Sequence, residues 1–429
     1  MSQKVLVLDL THGGEVLAYE YAERGDQVTI VDIYHTGKPE LKSELIAAGI
    51  RVAEAAPAET FDLGIVPIHC PDHFIGEAKM ARRITAHQAT GELAKFPYPT
   101  VEFTGTRGKT SACHVLAHML AQEGQKVALL TSKGISIVEE CTRAILKDKV
   151  SIAPPSVLSV AKMDLQVDIG VFEISIGGTG LADVSVVTGL DDYPIAAGTR
   201  KAFDGKVQMI ESAKSAAVYP QAEAGLWEKY VPQGTDVITF GPGGDVSATL
   251  PKQLKLGKAV PLNVEIYGDA FKTKLPGTFL VPSYKTAFNS AIAAAVALGM
   301  DMDAAIGSLS SFGGVPGRGE VSKEKGWYLI SERNPGVSAG SIEWNVSVLE
   351  RYYGQEDIGV AVDPVNQKVC EKLVLDDVRE ALSKHPAVKG QYVINMPGFE
   401  PSGFRRIDSF VDVRGRHKVL MQCIKEGYL

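Results

Sequence analysis

Short runs of apolar residues, each followed by a glycine-containing or polar turn and then by a helical pattern, recur along this chain. The runs cover residues 5–10, 28–32, 61–67, 126–132, 169–175, 184–188 and 358–363. Continuous apolar runs of this length are typical of strands that are buried on both faces, as in parallel sheets covered by helices. The pattern therefore predicts an α/β protein.

Two segments rich in proline or glycine interrupt this pattern. Residues 96–99 contain two prolines, and residues 312–320 contain four glycines, one proline and Arg318. A chain of 429 residues is long for one hydrophobic core and predicts about three domains of ~150 residues each. We therefore expect an N-terminal domain (1–97), a central domain (98–313) and a C-terminal domain (314–429), with the second segment as an inter-domain hinge.

The composition excludes several functional classes. Hydrophobic residues make up 45% and charged residues 22% of the chain, and its net charge is −7, which disfavours nucleic acid as a partner. The five cysteines form no CxxC pair, so neither a disulfide framework nor a zinc finger is indicated. The longest apolar run, 291–300, is too short to span a bilayer, and the first strand leaves no room for a signal peptide. We expect a soluble cytoplasmic protein without a membrane partner.

A glycine-containing turn between an apolar strand and a helix is the first candidate for chemistry. It comprises Thr104, Gly105, Thr106, Arg107, Gly108, Lys109, Thr110 and Ser111. Glycines allow backbone N–H groups to approach an anion, and the helix N-terminus adds a positive potential. In such a phosphate-binding loop Lys109 contacts the terminal phosphates and the Thr110 hydroxyl binds Mg²⁺. Phe103 stands where the general motif has its first glycine, and the alternative is an ordinary strand-to-helix turn with a surface lysine.

Glu173 ends the apolar run 169–175. A carboxylate at the end of a buried strand is costly unless a cation compensates its charge. We therefore expect Glu173 to be a second Mg²⁺ ligand near the loop, with a hydrogen-bonded structural glutamate as the alternative.

The N-terminal segment has the strand–turn–helix opening of a Rossmann domain, but its turn contains only Gly13 and Gly14 and not GxGxxG. This disfavours NAD and favours another anionic ligand. His12 and His69 both follow strands, at the edge where open α/β sheets bind ligands, so they are candidate substrate-binding residues. The four-residue spacing of His114 and His118 is explained by packing along a helix, and we predict no metal site built from histidines.

Four separated motifs together resemble the Mur ligase superfamily, the ATP-dependent ligases that include muramyl-peptide ligases and folylpolyglutamate synthase. The motifs are the loop 104–110, Phe172 with Glu173, Lys206 with its helix, and the segment 314–318. The superfamily has this shorter loop form, which accounts for Phe103. The resemblance implies three domains: a Rossmann-like N-terminal domain, a central P-loop ATP-binding domain and a Rossmann-like C-terminal α/β domain.

The resemblance also implies roles for individual residues. Lys109 and Thr110 would hold ATP phosphates and Mg²⁺, with Glu173 as a further Mg²⁺ ligand. Lys206 matches a lysine that many of these ligases carbamylate to obtain another metal-binding carboxylate. Together with Arg318, which matches a phosphate-contacting arginine, Lys109, Glu173 and Lys206 would form the catalytic set.

Other correspondences lie further along the chain, and some depart from the pattern. Asn289 matches an asparagine near the adenine, and Glu332 stands for an aspartate of the ribose-contacting segment. Arg333 replaces a histidine of that segment. Tyr193 replaces the histidine of an Asp-His pair, which puts the second metal site in doubt.

Mur-type ligases use MgATP to convert a carboxylate into an acyl phosphate. Within the superfamily, the chain most resembles a methanogen branch that closes a propionate side chain of a nickel tetrapyrrole carboxylic acid into a carbocyclic ring. That resemblance implies a small-molecule substrate and release of ADP and phosphate. The alternatives are an amide ligase that joins an amino acid or peptide to a carboxylate, and an ATP-binding protein without turnover, which the joint presence of the four motifs disfavours.

Overall fold

The computed structural model describes residues 2–140, 142–364, 373–394 and 403–426. The chain forms two compact units, which are described separately. Unit 1 comprises residues 1–244 and 290–300, and unit 2 comprises residues 245–289 and 301–429. The three domain ranges expected from the sequence stay a prediction. None of the described helices is long and apolar enough to cross a membrane.

The first sheet of unit 1 is a five-stranded parallel sheet in the order β3-β2-β1-β4-β5. Its elements are β1 (Lys4–Leu8), α1 (Glu15–Glu23), β2 (Gln27–Val31), α2 (Pro39–Ala47), β3 (Arg51–Ala53), β4 (Thr60–Ile65), β5 (Lys79–Ile84) and α3 (Ala86–Leu93). A π-helical turn, Leu10–Gly14, joins β1 to α1. The direction of strand addition reverses between β1 and β4. In an open parallel sheet such a reversal leaves a ligand crevice at the carboxyl ends of the two strands.

The second sheet of unit 1 is larger and has a parallel centre. Its elements, with the helices and a two-stranded hairpin (β12–β13), are β6 (Thr100–Thr104), α4 (Lys109–Gln122), β7 (Val127–Thr131), β8 (Gly134–Glu139), β9 (Thr142–Lys147), α5 (Ser156–Ala161), β10 (Ile169–Glu173), β11 (Val184–Val187), β12 (Pro194–Ile195), β13 (Arg200–Lys201), α6 (Ala202–Glu211), β14 (Ala216–Pro220), α7 (Ala224–Trp227) and β15 (Asp236–Phe240). The parallel order is β15-β14-β11-β6-β10-β7, and β8 and β9 extend it antiparallel. Every residue of β6, β7 and β10 is buried, because helices cover both faces.

The later part of the chain contains an antiparallel meander, β16–β18, and a mainly parallel six-stranded sheet in the order β19-β20-β24-β21-β22-β23. Its elements are β16 (Val246–Thr249), β17 (Val260–Ile266), β18 (Asp269–Leu275), α8 (Lys285–Ala297), α9 (Met302–Ser308), β19 (Arg318–Lys323), β20 (Tyr328–Asn334), α10 (Ala339–Tyr353), β21 (Ile358–Asp363), α11 (Leu375–Ser383), β22 (Val388–Ile394), β23 (Arg405–Ile407) and β24 (Val419–Lys425). Only β19 and β20 pair antiparallel within the six-stranded sheet. The alternation of strands and helices confirms the predicted α/β class.

Candidate active site

The loop between β6 and α4 requires its two glycines for different reasons. Gly105 has a φ of 135°, and a Cβ atom there would lie 2.2 Å from the Thr188 hydroxyl oxygen. Gly108 has a φ of 83° and is the N-cap of α4. The Thr188 hydroxyl lies 2.7 Å from the backbone carbonyl of Arg107 and 3.2 Å from that of Thr104, so the turn is held from the neighbouring strand end. This geometry leaves the N-terminus of a 14-residue helix at the carboxyl edge of a parallel sheet, as phosphate binding requires.

Thr110 and Glu173 meet at this edge. The Thr110 hydroxyl lies 2.9 and 2.8 Å from the two carboxylate oxygens of Glu173. The backbone N–H of Ser132 donates to the same carboxylate at 3.0 Å, and its hydroxyl lies 3.3 Å from that of Thr110. A carboxylate and two hydroxyls that converge from three elements form an all-oxygen set, which suits Mg²⁺.

The other residues of the loop are hydrogen-bonded, ion-paired or buried at its edge. The Lys109 ammonium donates to the Gly105 carbonyl at 2.8 Å, so the side chain folds over the loop that would hold the phosphates. Thr106 and Asp191 exchange two hydrogen bonds, and the exposed Arg107 guanidinium lies 3.8 Å from the Asp191 carboxylate. Thr104 and Ser111 are buried.

Lys206, on α6, is almost completely buried, at 1% exposure. Its ammonium lies 3.3 Å from the Ala202 carbonyl and 5.7 Å from the centre of the Tyr193 ring. Burial, followed by the positive charge of Lys109, lowers the pKa of Lys206 to about 8. Tyr193, which stands where the Mur ligase superfamily has the histidine of an Asp-His pair, therefore packs against this lysine. A lowered pKa enlarges the neutral amine fraction, and only the neutral amine can react with CO₂.

A close backbone approach fixes α6 against the segment that follows Glu173. Gly205 packs on the Ile176 carbonyl, and a Cβ atom on Gly205 would lie 2.1 Å from that oxygen. Ile176 has a φ of 64°, which is strained for a β-branched residue. Lys206 and Glu173 are thus positioned by neighbouring parts of one tightly packed junction.

Three of the predicted residues, Asn289, Arg318 and Glu332, lie in unit 2. Arg318 begins β19 opposite Glu332 on β20. Glu332 is buried and accepts hydrogen bonds from Gly319, Asn334 and Asn345, and burial raises the pKa of its carboxyl group. Asn289 is also buried; its amide accepts from Ala248 and donates to Lys285 within the same unit. Contacts of these three residues with ATP stay predictions.

The two histidines predicted to bind substrate are brought together by Asp9. Asp9 follows β1, is 1% exposed and has a φ of 74°. One of its carboxylate oxygens lies 2.5 Å from His12 Nδ1 and 2.8 Å from His69 Nε2, while the other accepts from the Thr11 N–H. Burial alone would raise the pKa of Asp9, but the hydrogen bonds from the two imidazoles outweigh it and lower the pKa to about 2. Asp9 is therefore a carboxylate at neutral pH.

Aromatic side chains surround this Asp9–His12–His69 cluster. The His12 ring contacts the His69 ring and the Tyr34 ring edge-on, with centroids 4.8 and 5.8 Å apart. Phe74 in turn contacts Tyr34, and Tyr34 is 37% exposed. The crevice between β1 and β4 thus combines imidazoles with an accessible aromatic surface.

Asp9 and Ser132 belong to the candidate site but were not predicted from the sequence. The rule that singled out Glu173, a carboxylate at the end of a buried strand, applies equally to Asp9 and would have identified it. Ser132 carries no such signal, because its role depends on β7 lying beside β10.

No protein-family model matches this chain. It is 32% identical over 375 residues to coenzyme F(430) synthetase from Methanosarcina acetivorans, an alignment that covers 80% of this chain and 78% of the relative. A protein of the same name from Methanocaldococcus jannaschii is 26% identical over 223 residues, covering 49% of this chain and 50% of that relative. Among solved structures, MurF ligase from Thermotoga maritima in complex with ADP matches with a TM-score of 0.59 and 16% identity, over 93% of this chain and 91% of the other. The last match confirms the predicted Mur ligase architecture.

Proposed function

The chain belongs to the coenzyme F(430) synthetase family, and we propose that it closes a propionate side chain of a nickel tetrapyrrole carboxylic acid into a carbocyclic ring, with release of ADP and phosphate. It is an ATP-dependent ligase with the Mur ligase fold. In this proposal its cofactors are ATP and Mg²⁺.

A carboxylate needs activation before any nucleophile can attack it, because its charge repels nucleophiles and oxide is a very poor leaving group. Transfer of the γ-phosphoryl group of ATP gives an acyl phosphate, from which phosphate leaves readily. Protein groups assist that transfer chiefly by positioning the reactants and neutralising charge. The protein therefore needs a cradle for the phosphates, a metal site and a cation.

The contact between the Thr110 hydroxyl and both carboxylate oxygens of Glu173 is the observation that carries this proposal. It supports a Mg²⁺ site formed by Thr110 and Glu173 at the N-terminus of α4, with Lys109 on the phosphates. Bound Mg²⁺ would neutralise the charge on the transferred phosphoryl group. Lys206, if carbamylated, would supply a further carboxylate to the metal.

The acid substrate is assigned to the crevice between β1 and β4. A nickel tetrapyrrole is large, flat and mostly apolar, with carboxylates at its rim. Tyr34 and Phe74 offer an aromatic surface of matching character. We also assign His12 and His69, both hydrogen-bonded to Asp9, to the binding of this substrate. In unit 2 we assign Arg318 to a phosphate, Asn289 to the adenine and Glu332 to the ribose, by resemblance to the superfamily.

The test mixes the protein with MgATP and the nickel seco-acid whose propionate is still open. Visible absorbance reports ring closure, and phosphate release is followed in parallel. We expect a spectral change and one phosphate per ring closed, without any added amine. Glu173→Gln should lower both rates at least ~100-fold, since loss of a metal ligand removes several kcal/mol of charge stabilisation.

A matched control is Glu139→Gln. Glu139 lies on β8 and its side chain is 55% exposed, so this variant should retain wild-type rates. Phosphate release that depends on an added amine or amino acid, without a spectral change, would replace the cyclising function with that of an amide ligase. Full activity of Glu173→Gln would refute the assigned metal site.

A further inference from the structure

In the structure, hydrogen bonds join the three side chains of the Asp9–His12–His69 cluster. Its three candidate ligand atoms lie within 4.8 Å of one another. However, the two nitrogen-to-oxygen distances, 2.5 and 2.8 Å, are those of hydrogen bonds. Two ligands of one tetrahedral ion, each ~2.05 Å from the metal, lie about 3.3 Å apart. Both imidazoles thus donate an N–H to the Asp9 carboxylate.

This arrangement fixes which ring nitrogen each histidine presents outward. His12 donates through Nδ1, so Nε2, on the far side of the ring, is its basic nitrogen. His69 donates through Nε2, which leaves Nδ1, next to its own backbone, as the basic nitrogen. The His12 side chain is 38% exposed and that of His69 is 25% exposed. His12 therefore presents the more accessible base, and Asp9 orients it as a carboxylate orients a catalytic imidazole.

Contacts inside unit 1 connect this cluster to the junction between Glu173 and Lys206. Ile68, next to His69, packs in one apolar group with Ile176 and Ala202. The Arg200 guanidinium donates to the carbonyls of Ile68 and Cys70, both at 3.0 Å, and so holds the backbone on either side of His69. The loop that carries His69 is therefore anchored to the segments that carry the proposed metal ligands.

The chemistry of ring closure requires a proton acceptor. When the ring carbon attacks the acyl phosphate, a C–C bond forms and the C–O bond to phosphate breaks, with the electron pair leaving on phosphate. The attacking carbon must also lose its hydrogen as a proton to restore the conjugated ring. Because we assign the phosphate to the loop 104–110 and the ring to the crevice between β1 and β4, the base that takes this proton would lie in that crevice.

We propose that His12 accepts this proton at Nε2, while Asp9 and His69 act as positioning residues. The assignment rests on the proposed function, because only a carbon nucleophile needs this step. Asp9 holds the His12 ring and stabilises the imidazolium formed after the transfer. The proton then passes to solvent, to which the His12 side chain is exposed. The αL backbone of Asp9, uncommon for a residue with a side chain, is consistent with a carboxylate held in place for such a task.

The experiment measures carboxylate activation and ring closure separately in the His12→Asn variant. Asparagine retains an N–H near the position of Nδ1, so the bond to Asp9 is kept while the base is lost. Acyl phosphate is trapped with hydroxylamine as the hydroxamate, and ring closure is followed by visible absorbance with the nickel seco-acid and MgATP. We expect hydroxamate formation within about threefold of wild type and ring closure slowed roughly 10²–10⁴-fold.

His35→Asn is the matched control and should leave both steps unchanged. His35 lies in the turn after β2, its side chain is 66% exposed, and it pairs with Glu54. In His12→Ala, added imidazole should restore part of the ring-closure rate, which a purely structural role would not allow. Wild-type ring closure by His12→Asn overturns the proposal. An equal loss of both steps without imidazole rescue also overturns it, and indicates substrate binding instead.

Two further outcomes of this experiment would contradict the proposal in other ways. A stoichiometric metal ion in the purified protein that is lost in both His12→Asn and Asp9→Asn would replace the proton acceptor with a metal site. If the wild-type protein forms neither hydroxamate nor closed ring from the nickel seco-acid, the proposed substrate fails, and the role of His12 falls with it.

Discussion

Glu15, the first residue of α1, has a carboxyl group that is only partly hydrogen-bonded. Its Oε2 atom is buried and has no hydrogen-bond partner among the described residues. Burial, with a smaller contribution from the nearby Asp9 carboxylate, raises the pKa of Glu15 from 4.5 to about 7, although its own backbone N–H, Lys147 and His12 act in the opposite direction. Ionised Glu15 therefore destabilises the folded protein, and we predict that Glu15→Gln is stabilising at high pH.

The magnitude follows from linkage between protonation and folding. The difference between a pKa of about 7 in the folded protein and 4.5 in the unfolded chain corresponds to about 3 kcal/mol, at ~1.4 kcal/mol per pKa unit. Because Glu15 is partly exposed, we expect roughly 2 kcal/mol to be realised. The folded state holds the proton more tightly, so this stability is fully present below pH 4.5 and declines as the pH rises to about 7. Above that pH the penalty is constant.

The measurement compares the thermal unfolding of Glu15→Gln and wild type at two pH values. Near pH 8 the variant should melt about 4–8 °C higher, at roughly 2–4 °C per kcal/mol for a domain of 150–250 residues. Near pH 4.5 the difference should shrink to what the amide itself contributes, since most of the folded protein then carries a neutral Glu15. Glu40→Gln, at an exposed position on α2, should show no such pH-dependent gain. An equal shift at both pH values would refute the reasoning, because it could not come from ionisation.

Two further predictions concern the junction around Lys206. Gly205→Ala should lower the free energy of unfolding by roughly 1–3 kcal/mol and reduce ligase activity, because the added Cβ would lie 2.1 Å from the Ile176 carbonyl oxygen. The control is Gly225→Ala, where no atom lies within 4 Å of the added Cβ. Its thermal unfolding should be close to that of the wild type. Lys206→Arg should abolish both ADP release and a carbamate NMR signal that the wild type gains from isotopically labelled bicarbonate. Full activity of Lys206→Arg, or a wild type without the signal, would contradict the proposed carbamylation.

Local sequence was sufficient to predict the strand–turn–helix geometry of the loop 104–110 and the fold class. An apolar strand, two glycines with positive φ and Lys109-Thr110 at a helix start lie within ten residues, so their geometry follows from short-range backbone preferences. The sequence also indicated that the Glu173 carboxylate needs a partner, because burying an unpaired carboxylate at the end of an apolar strand costs free energy. Membership of the family, by contrast, depended on four motifs spread over the chain and was confirmed by comparison with relatives.

What the sequence by itself determined, then, is a set of buried strands, helices and turns, together with the residue types at the strand ends. The tertiary structure decided which of those ends are neighbours. Asp9 and His69 are 60 positions apart and meet only because β4 pairs with β1 on the side opposite β2. Strands with equally apolar side chains can pair in many orders, and the order is set by how the helices pack over the sheet as a whole, so no local pattern specifies it.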